Sequence, residues 1–453
     1  MPSAVLKPPP LDRNLRLFVW FRVLFNARFY YPVFAILFFD FGLSPLQFYL
    51  LNGVVWTMAS ILLEVPSGAL ADRFGRKSLL VTSAVLMMVE MAVFCLTPSG
   101  GGAPVFALFF LNRILSGAAE AAASGADEAL AYDSIPPAER ETVWPRVQSH
   151  LMGSQAVAMI VALNVGAFCY GLKEAPFHLD KELAMRLPIF LCLLSSFATL
   201  AVTLMMREPD REGSTVVPTI RESFQKTMEA ARWILKHPAP FYIVLVLVFF
   251  DSIVRLFYTV ASSYHSLIGI DPRYFGLIGT AANLVGLATA PWISLLVSDY
   301  SPRFNYRMAA ILILAGLGLL ALQIPLWGVL VSIPLGMGMR HIHAASSQYL
   351  NRVTESAHRA TVLSFRGLAM MGFYGILNLL AIGQVLAAQP QGEKITVWDQ
   401  EMGNEIIRRT SASWWLWFVA GIVLLTVFRH WRYGMSINEI VGQPKPRSSE
   451  KRT

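Results

Sequence analysis

Charged side chains are scarce in this sequence. Asp, Glu, Lys and Arg make up 15% of the 453 residues, whereas hydrophobic residues make up 55%. In a soluble globular domain about a quarter of the residues are charged, and such a domain needs polar groups to cover its surface. The composition therefore argues against a soluble enzyme. It also argues against a disordered chain, which would be poor in apolar residues. The lipid bilayer is the solvent that fits it.

Cysteine and the common catalytic motifs are also scarce or absent. The three cysteines, Cys95, Cys169 and Cys192, all lie in apolar runs, and an odd, unpaired set indicates neither a disulfide framework nor a zinc site. The chain contains no G-x-x-x-x-G-K-S/T loop for nucleotide phosphates and no H-E-x-x-H zinc motif. His341 and His343 are two residues apart and so point to different faces of a helix. We therefore expect no metal, no cofactor and no enzymatic activity.

Apolar runs long enough to cross a bilayer, which takes about 20 residues, recur along the chain. Twelve such runs lie at about 17–39, 45–67, 78–97, 104–131, 146–172, 188–206, 239–262, 273–298, 307–326, 327–350, 360–388 and 411–429. The sequence therefore predicts an all-α membrane protein with twelve transmembrane helices.

The basic residues predict the orientation of these spans. If the N-terminus is cytoplasmic, 24 of the 37 Lys and Arg residues fall on the cytoplasmic side and seven fall in the opposite loops. Positively charged loops favour the cytoplasm, so both termini are predicted to be cytoplasmic. The same rule explains the net charge of +8 without a nucleic-acid partner.

A charged stretch divides the chain into two groups of six spans. We predict an N-terminal six-helix bundle at 1–206, a cytoplasmic linker at 207–237, a C-terminal six-helix bundle at 238–431 and a basic cytoplasmic tail at 432–453. A pattern A-x-R-x-T-V occurs after spans 4 and 10, about half the chain apart, which favours two pseudo-symmetric halves. Within the linker, apolar residues recur on one helical face and predict an amphipathic helix on the membrane surface. They are Ile220, Phe224, Met228, Ala231 and Leu235.

One loop carries a family signature. The loop between spans 2 and 3 reads GALADRFGRKSLL and resembles the G-x-x-x-D-R/K-x-G-R-R/K loop of the major facilitator superfamily. It matches that loop at Gly68, Asp72, Arg73, Gly75, Arg76 and Lys77. The resemblance implies a transporter in which this loop gates the pathway. Two charged residues near the cytoplasmic span ends, Asp127 and Arg366, are predicted to join the gating network.

Two further segments look like this superfamily. Arg113-x-x-x-Gly117 is similar to its fourth-helix arginine motif, and the sequence from Tyr349 to Phe365 looks like the loop after helix 10 in bacterial drug-efflux-like members. Span 5 has no Gly-Pro pair, which drug/proton antiporters usually carry in a G-x-x-x-G-P motif. The resemblance implies a central cavity lined by helices 1, 4, 7 and 10.

Ionisable residues within the spans are the candidate substrate or proton contacts, because charges in a membrane are costly and usually face the bundle interior. On the four helices named above, the best candidates are Arg28, Arg113, Glu120, Asp251, Arg255, Arg340 and His343. Asp251 and Arg255 are four residues apart and can also neutralise each other as a structural pair. Glu120 is the predicted proton carrier, because no cation lies within one helical turn of it and its helix face also carries Arg113.

The sequence thus predicts a secondary transporter in a bacterial inner membrane that works as a monomer by alternating access. Proton-coupled export of an amphiphilic or drug-like compound is the leading hypothesis. Uptake or exchange of an anionic solute is the alternative, because six arginines lie within the spans. A sensor or assembly partner that transports nothing is the third hypothesis. The predicted partners are a small-molecule substrate, protons and lipid.

Overall fold

A computed structural model describes residues 12–209, 220–354, 356–388 and 399–442. Every regular element in these ranges is a helix. The α-helices are α1 (Arg13–Asn26), α2 (Phe34–Asp40), α3 (Pro45–Tyr49), α4 (Trp56–Phe74), α5 (Arg76–Leu96), α6 (Gly102–Ala123), α7 (Ala126–Asp133), α8 (Arg140–Gly171), α9 (Lys181–Met205), α10 (Ile220–Lys236), α11 (Pro238–Leu267), α12 (Phe275–Asp299), α13 (Pro302–Leu322), α14 (Ser332–Val353), α15 (Ser356–Ala388), α16 (Gln400–Ser411), α17 (Trp414–Tyr433) and α18 (Ile437–Val441).

Eleven helical segments in these ranges are long and apolar enough to cross a membrane. They are Arg13–Asp40, Pro45–Ala71, Arg76–Leu96, Gly102–Asp133, Pro137–Gly171, Lys181–Met205, Pro238–Leu267, Pro272–Asp299, Pro302–Leu322, Phe365–Ala388 and Gln400–Tyr433. The predicted tenth span is α14, which has 22 residues but is not among these segments because its mean hydropathy is too low. Its length is sufficient for a bilayer, whereas Arg340, His341 and His343 lower its hydropathy.

The first span is interrupted, although its apolar run predicts one continuous helix. Helix α1 ends at Asn26 and α2 begins at Phe34, with a short 3-10 turn at Tyr31–Val33 between them. Pro32 lies in this gap, and proline can neither donate a backbone hydrogen bond nor fit the interior of a helix. Arg28 is therefore carried on non-helical backbone in the middle of the span.

The fourth span is broken as well. Helix α6 ends at Ala123 and α7 begins at Ala126. Gly125 between them has a φ of +72°, a left-handed conformation that glycine adopts without strain. From Arg113, the sequence continues through Glu120 to Asp127 in helical steps of three or four residues, which predicts that all three share one face. Asp127 lies on a separate helix, so that prediction is wrong.

The predicted linker helix exists as α10. Its apolar stripe is exposed at Phe224, Met228 and Leu235, while Ile234 is its buried contact with the bundle. Helix α10 contacts α4, α11 and α15. Thr219 and Glu222 have the spacing of a capping box, which predicts the start of this helix, but Thr219 lies outside the described residues. Two short amphipathic or terminal helices, α16 and α18, are not predicted from the sequence.

The bundle has two ends, which hydrogen bonds identify. Near the chain termini, Asn14 donates to the Arg207 carbonyl and the amide of Arg303 donates to Asn438; this end is the terminal side. At the opposite, distal side, the amide of Ala35 in α2 donates to Ser262 Oγ in α11 over 2.9 Å. Helices before the linker thus contact helices after it at the distal side.

Candidate functional site

Two cavities lie where the helices before α10 meet the helices after it. The first, of about 380 Å³, is lined by Glu120 and is named the Glu120 cavity. The second, of about 480 Å³, is lined by Arg340 and is named the Arg340 cavity. Tyr31 and Tyr258 line both. The two cavities therefore adjoin each other across these two tyrosines.

The Glu120 cavity has a buried ionic network at its wall. Glu90, a fully buried residue of α5, lies 3.1 Å from Arg28 Nη1 and 3.5 Å from Arg113 Nη2. Arg113 also donates to Asn52 Oδ1 over 3.3 Å and to Asn112. One carboxylate thus holds two arginines from two different spans, so much of their charge is neutralised before any solute enters.

Local backbone irregularities position this network. Arg28 stands on the interruption of the first span, and Asn52 lies in a π-helical turn, Leu50–Val55. The Asn52 amide donates to the Phe48 carbonyl, which leaves its oxygen free to accept from Arg113. Irregular helical backbone in a membrane protein often marks a place where the backbone lines a cavity.

A second buried carboxylate lies between the two cavities. Asp251 of α11 is fully buried, and Arg255 Nη2 lies 3.1 Å from its Oδ2 atom. His343 Nε2 of α14 lies 2.7 Å from its Oδ1 atom. The expected pairing of Asp251 with Arg255 is present, and His343 completes it. Arg255 also stacks over the ring of Tyr374 at 5.6 Å.

Glu120 differs from both of these carboxylates. It lines its cavity together with Arg113 and Ser116, as expected for residues on one face of α6. Its carboxylate accepts no hydrogen bond and forms no ion pair within 4 Å in the described part of the chain. It is thus an unpaired carboxylate, within the described residues, that lines a cavity in the bundle interior.

Arg340 is the corresponding free cation. Its Nη2 atom donates to Asn283 Oδ1 over 3.3 Å, and no carboxylate of the described residues pairs with it. The guanidinium lies against Gly286 of α12, where a Cβ atom would overlap it. Gly286 therefore provides the space that this arginine occupies.

The signature loop forms a tight connection between α4 and α5. Gly75 has a φ of +98°, and Glu208 accepts hydrogen bonds from the amides of Arg76 and Lys77 over 2.9 and 2.7 Å. A carboxylate at the first turn of a helix is favourable because it meets free amides and the positive end of the helix dipole. Arg76 pairs with Asp133 of α7. The loop is thus bound to the ends of spans 4 and 6.

The other predicted gating residues are not all brought together. Gly68 and Asp72 lie in the last turns of α4, where the Asp72 side chain is outside the described part, and Arg73 stacks on Phe74 at 5.3 Å. Asp127 pairs with Arg22 at 3.0 Å. Arg366 has a buried Nε atom without a hydrogen-bond partner among the described residues. The predicted joint network of Asp127 and Arg366 is therefore not formed in this conformation.

Six of the seven predicted substrate or proton candidates line one of the two cavities, and the seventh, Asp251, contacts two of them, Arg255 and His343. The sequence did not predict the part played by Glu90, which has no cation within one helical turn of it, or the parts played by Tyr31, Tyr258 and His265. Pro32 was the available signal for Tyr31, because a proline in mid-span predicts an interruption and exposed backbone around it. Glu90 gave no such signal, since its partners are distant in sequence.

The arrangement has the chemistry of a solute site. It offers a free carboxylate, a free guanidinium, several tyrosine hydroxyls and apolar walls inside a helical bundle. Most ligand pockets combine apolar walls with a few placed polar groups in this way.

Comparison with known proteins identifies the fold. The nucleoside transporter NupG is 12% identical, with a TM-score of 0.67 over 91% of this chain and 99% of that chain. A bacterial homolog to the human lysosomal transporter Spinster is 15% identical, with a TM-score of 0.65 over 92% and 95%. A D-xylose-proton symporter is 14% identical, with a TM-score of 0.63 over 90% and 96%. At these identities the similarity establishes the fold.

No curated protein sequence matches this chain. A sequence model of a single family, described as Major Facilitator Superfamily, matches residues 17–379, which is most of the chain and includes the signature loop. The all-helical fold and the transporter neighbours agree with that match, so the protein is a multi-pass membrane transporter and not an enzyme. The chain belongs to the Major Facilitator Superfamily.

Proposed function

We propose that this protein is a proton-coupled secondary transporter that moves a small charged solute through the two central cavities by alternating access. Helix α14 serves as the tenth of twelve spans, and the segments 1–206 and 238–431 form the two halves. The linker 207–237 and the tail 432–453 are placed in the cytoplasm of a bacterial cell, with the bundle in the inner membrane as a monomer.

One observation carries the coupling proposal. Glu90 lies between Arg28 and Arg113, and Asp251 lies between Arg255 and His343. Glu120 lines the cavity without an ionic partner among the described residues. Nearby cations favour the ionised form of a carboxyl group. A carboxylate that keeps such partners therefore stays ionised as the cavity opens and closes. Glu120 is free to bind a proton on one side and release it on the other.

The cavity lining distinguishes between the two solute classes that the sequence leaves open. Arg28, Arg113, Arg255 and Glu120 all line the Glu120 cavity, and Arg340 lines its neighbour. An amphiphilic drug would have to bury such groups against apolar surface, which is unfavourable. A charged solute supplies ionic partners for Glu120 and Arg340, which have none among the described residues, so we favour it over the drug-like compound.

Proteoliposomes test this function directly. The purified chain is reconstituted with a pH-sensitive dye inside and exposed to phenyl phosphate, phenylalanine or ethidium as examples of an anion, a zwitterion and a lipophilic cation. We expect proton flux that depends on phenyl phosphate or phenylalanine, and no such flux with Glu120→Gln, which cannot release a proton. Glu405→Gln, an exposed carboxylate on α16, is the control and retains the flux.

Other outcomes assign the protein differently. Flux with ethidium alone would restore the drug-like hypothesis. Solute movement that stays proton-coupled in Glu120→Gln would place the proton site at another carboxylate. Absence of any solute movement would favour the sensor or assembly hypothesis.

A further inference from the structure

We infer that the Arg340 cavity is a binding site for a small organic anion, in which Arg340 contacts the anionic group and His265 contacts a polar group elsewhere on the ligand. The inference rests on the proposed transport function for its biological meaning, because the ligand would then be the transported solute. The binding site itself stands on the geometry of the cavity.

Among the arginines that line the two cavities, Arg340 is the one without a carboxylate partner in the described residues. Arg28, Arg113 and Arg255 each have a carboxylate within 3.5 Å, whereas Arg340 has the neutral Asn283 at 3.3 Å. An unpaired guanidinium within a membrane bundle is costly and usually functional. Its planar fork suits carboxylate and phosphate groups, so an anionic ligand completes the pairing that the described chain omits.

Two glycines fix the position of this guanidinium. A Cβ on Gly286 of α12 would overlap the guanidinium, and a Cβ on Gly336 of α14 would lie 3.1 Å from Arg340 Nη1 and 3.0 Å from the Tyr258 hydroxyl. One side of the Arg340 guanidinium thus packs against the glycine backbone of α12 and α14, and the other side lines the cavity. This seating favours an anion receptor because it limits the arginine to a small set of positions.

His265 is the second, independent observation. It lines the same cavity and is only 6% exposed, yet its Nε2 atom has no hydrogen-bond partner among the described residues. Buried polar groups in folded proteins are nearly always hydrogen-bonded. A ligand that occupies the cavity and carries a second polar group would satisfy this atom.

The remaining wall defines the body of the ligand. Phe275, Ile278 and Met339 line the cavity, and the ring of Phe275 lies edge-on to His265 with a centroid distance of 5.3 Å. Apolar walls favour burial of apolar ligand surface. An inorganic ion would leave both this wall and His265 without contacts, so the site fits an anion with an apolar body.

Equilibrium binding to the purified full chain in detergent tests the assignment. The probes are benzoate and phenyl phosphate, with neutral benzamide as the matched uncharged compound, measured by calorimetry. We expect both anions to bind and benzamide to bind at least about ten times more weakly. Arg340→Gln should weaken anion binding about 10- to 100-fold, because it removes charge-assisted hydrogen bonds.

Two glycine variants show whether a loss of anion binding comes from the cavity itself or from a general effect of adding a methyl group to a helix. Gly286→Ala should reduce anion binding as Arg340→Gln does, since the new methyl displaces the guanidinium. Gly318→Ala on α13, where a Cβ meets nothing within 4 Å, should bind the anions as the wild type does. 4-Hydroxybenzoate should bind more tightly than benzoate, and His265→Phe should remove that gain.

The result that overturns the inference is absence of anion binding at millimolar concentration, or equal binding of benzoate and benzamide that Arg340→Gln leaves unchanged. A hydroxyl gain that persists in His265→Phe overturns the role of His265. Because binding is measured without a membrane or a gradient, it can succeed while the proteoliposome flux fails. The two proposals therefore fail separately.

Discussion

The Glu90 carboxylate lies 3.1 Å from Arg28 Nη1, and it joins α5 to the interrupted part of the first span. Its other oxygen faces Arg113 at 3.5 Å. Asp251 has the same role among the later helices, where it joins Arg255 and His343. Each carboxylate therefore contacts two basic side chains that line the cavities. Among the described residues of the site, Glu120 and Arg340 are the carboxylate and the guanidinium without an ionic partner.

Glu90→Gln is expected to destabilise the protein strongly. It leaves two buried arginines without their counterion, and breaking a buried ion pair by removing one partner costs about 3–5 kcal/mol. The measurement is the unfolding temperature of the purified protein in detergent.

Glu128→Gln is the matched control for that variant. Glu128 pairs with Arg22 at 3.2 Å, but half of its side chain is exposed, and exposed pairs contribute at most about 1 kcal/mol. A Glu90→Gln protein that unfolds at the same temperature as Glu128→Gln would contradict the structural role of the Glu90 network.

Gly166→Ala should disturb the interruption of the first span. Gly166 of α8 lies against the Phe29 carbonyl, which a Cβ atom would overlap, and overpacking of this kind costs about 1–3 kcal/mol. Gly153→Ala on the same helix meets nothing within 4 Å and should be tolerated. Thermal unfolding of both variants compares the two sites, and equal stability would show that the close approach of α8 to Phe29 is dispensable.

Asp72→Asn should slow transport without preventing membrane insertion. Its place in the signature loop predicts that its charge biases one conformation by about 1–3 kcal/mol. Asp271→Asn makes the same chemical change in a distal loop and should leave the rate unaltered. Flux per inserted protein in proteoliposomes is the readout, and an unaltered rate in Asp72→Asn would remove this residue from the gate.

The orientation in the membrane is testable in intact cells. Cysteine introduced at Ser214 in the linker should be shielded from an impermeant thiol reagent, and cysteine at Gln391 should react, because the basic residues favour a cytoplasmic linker. Labelling of Ser214→Cys from outside, with Gln391→Cys protected, would invert the predicted topology.

The sequence by itself determined that this is a membrane protein and which ionisable residues are candidates for its site. Apolar runs of spanning length predicted the membrane helices because helix length and bilayer thickness are fixed, and the signature loop from Gly68 to Lys77 predicted the family. The seven candidate charges could be found because ionisable groups are rare in spans. Helix α10 followed from its apolar stripe.

Only the tertiary structure decided which of these charges are paired. Glu90 finds Arg28 and Arg113 more than 20 residues away along the chain, and Asp251 finds His343 92 residues away. Such contacts depend on how helices pack, which local periodicity does not encode. Pro32 and Gly125 favour the helix interruptions near Arg28 and Ser124. Packing also contributes to the first, because Gly166 of α8 leaves room for the non-helical backbone at Phe29. Residue types and local patterns can be predicted from the sequence. Contacts between residues that are distant in sequence depend on the packing of the helices, and only the tertiary structure shows them.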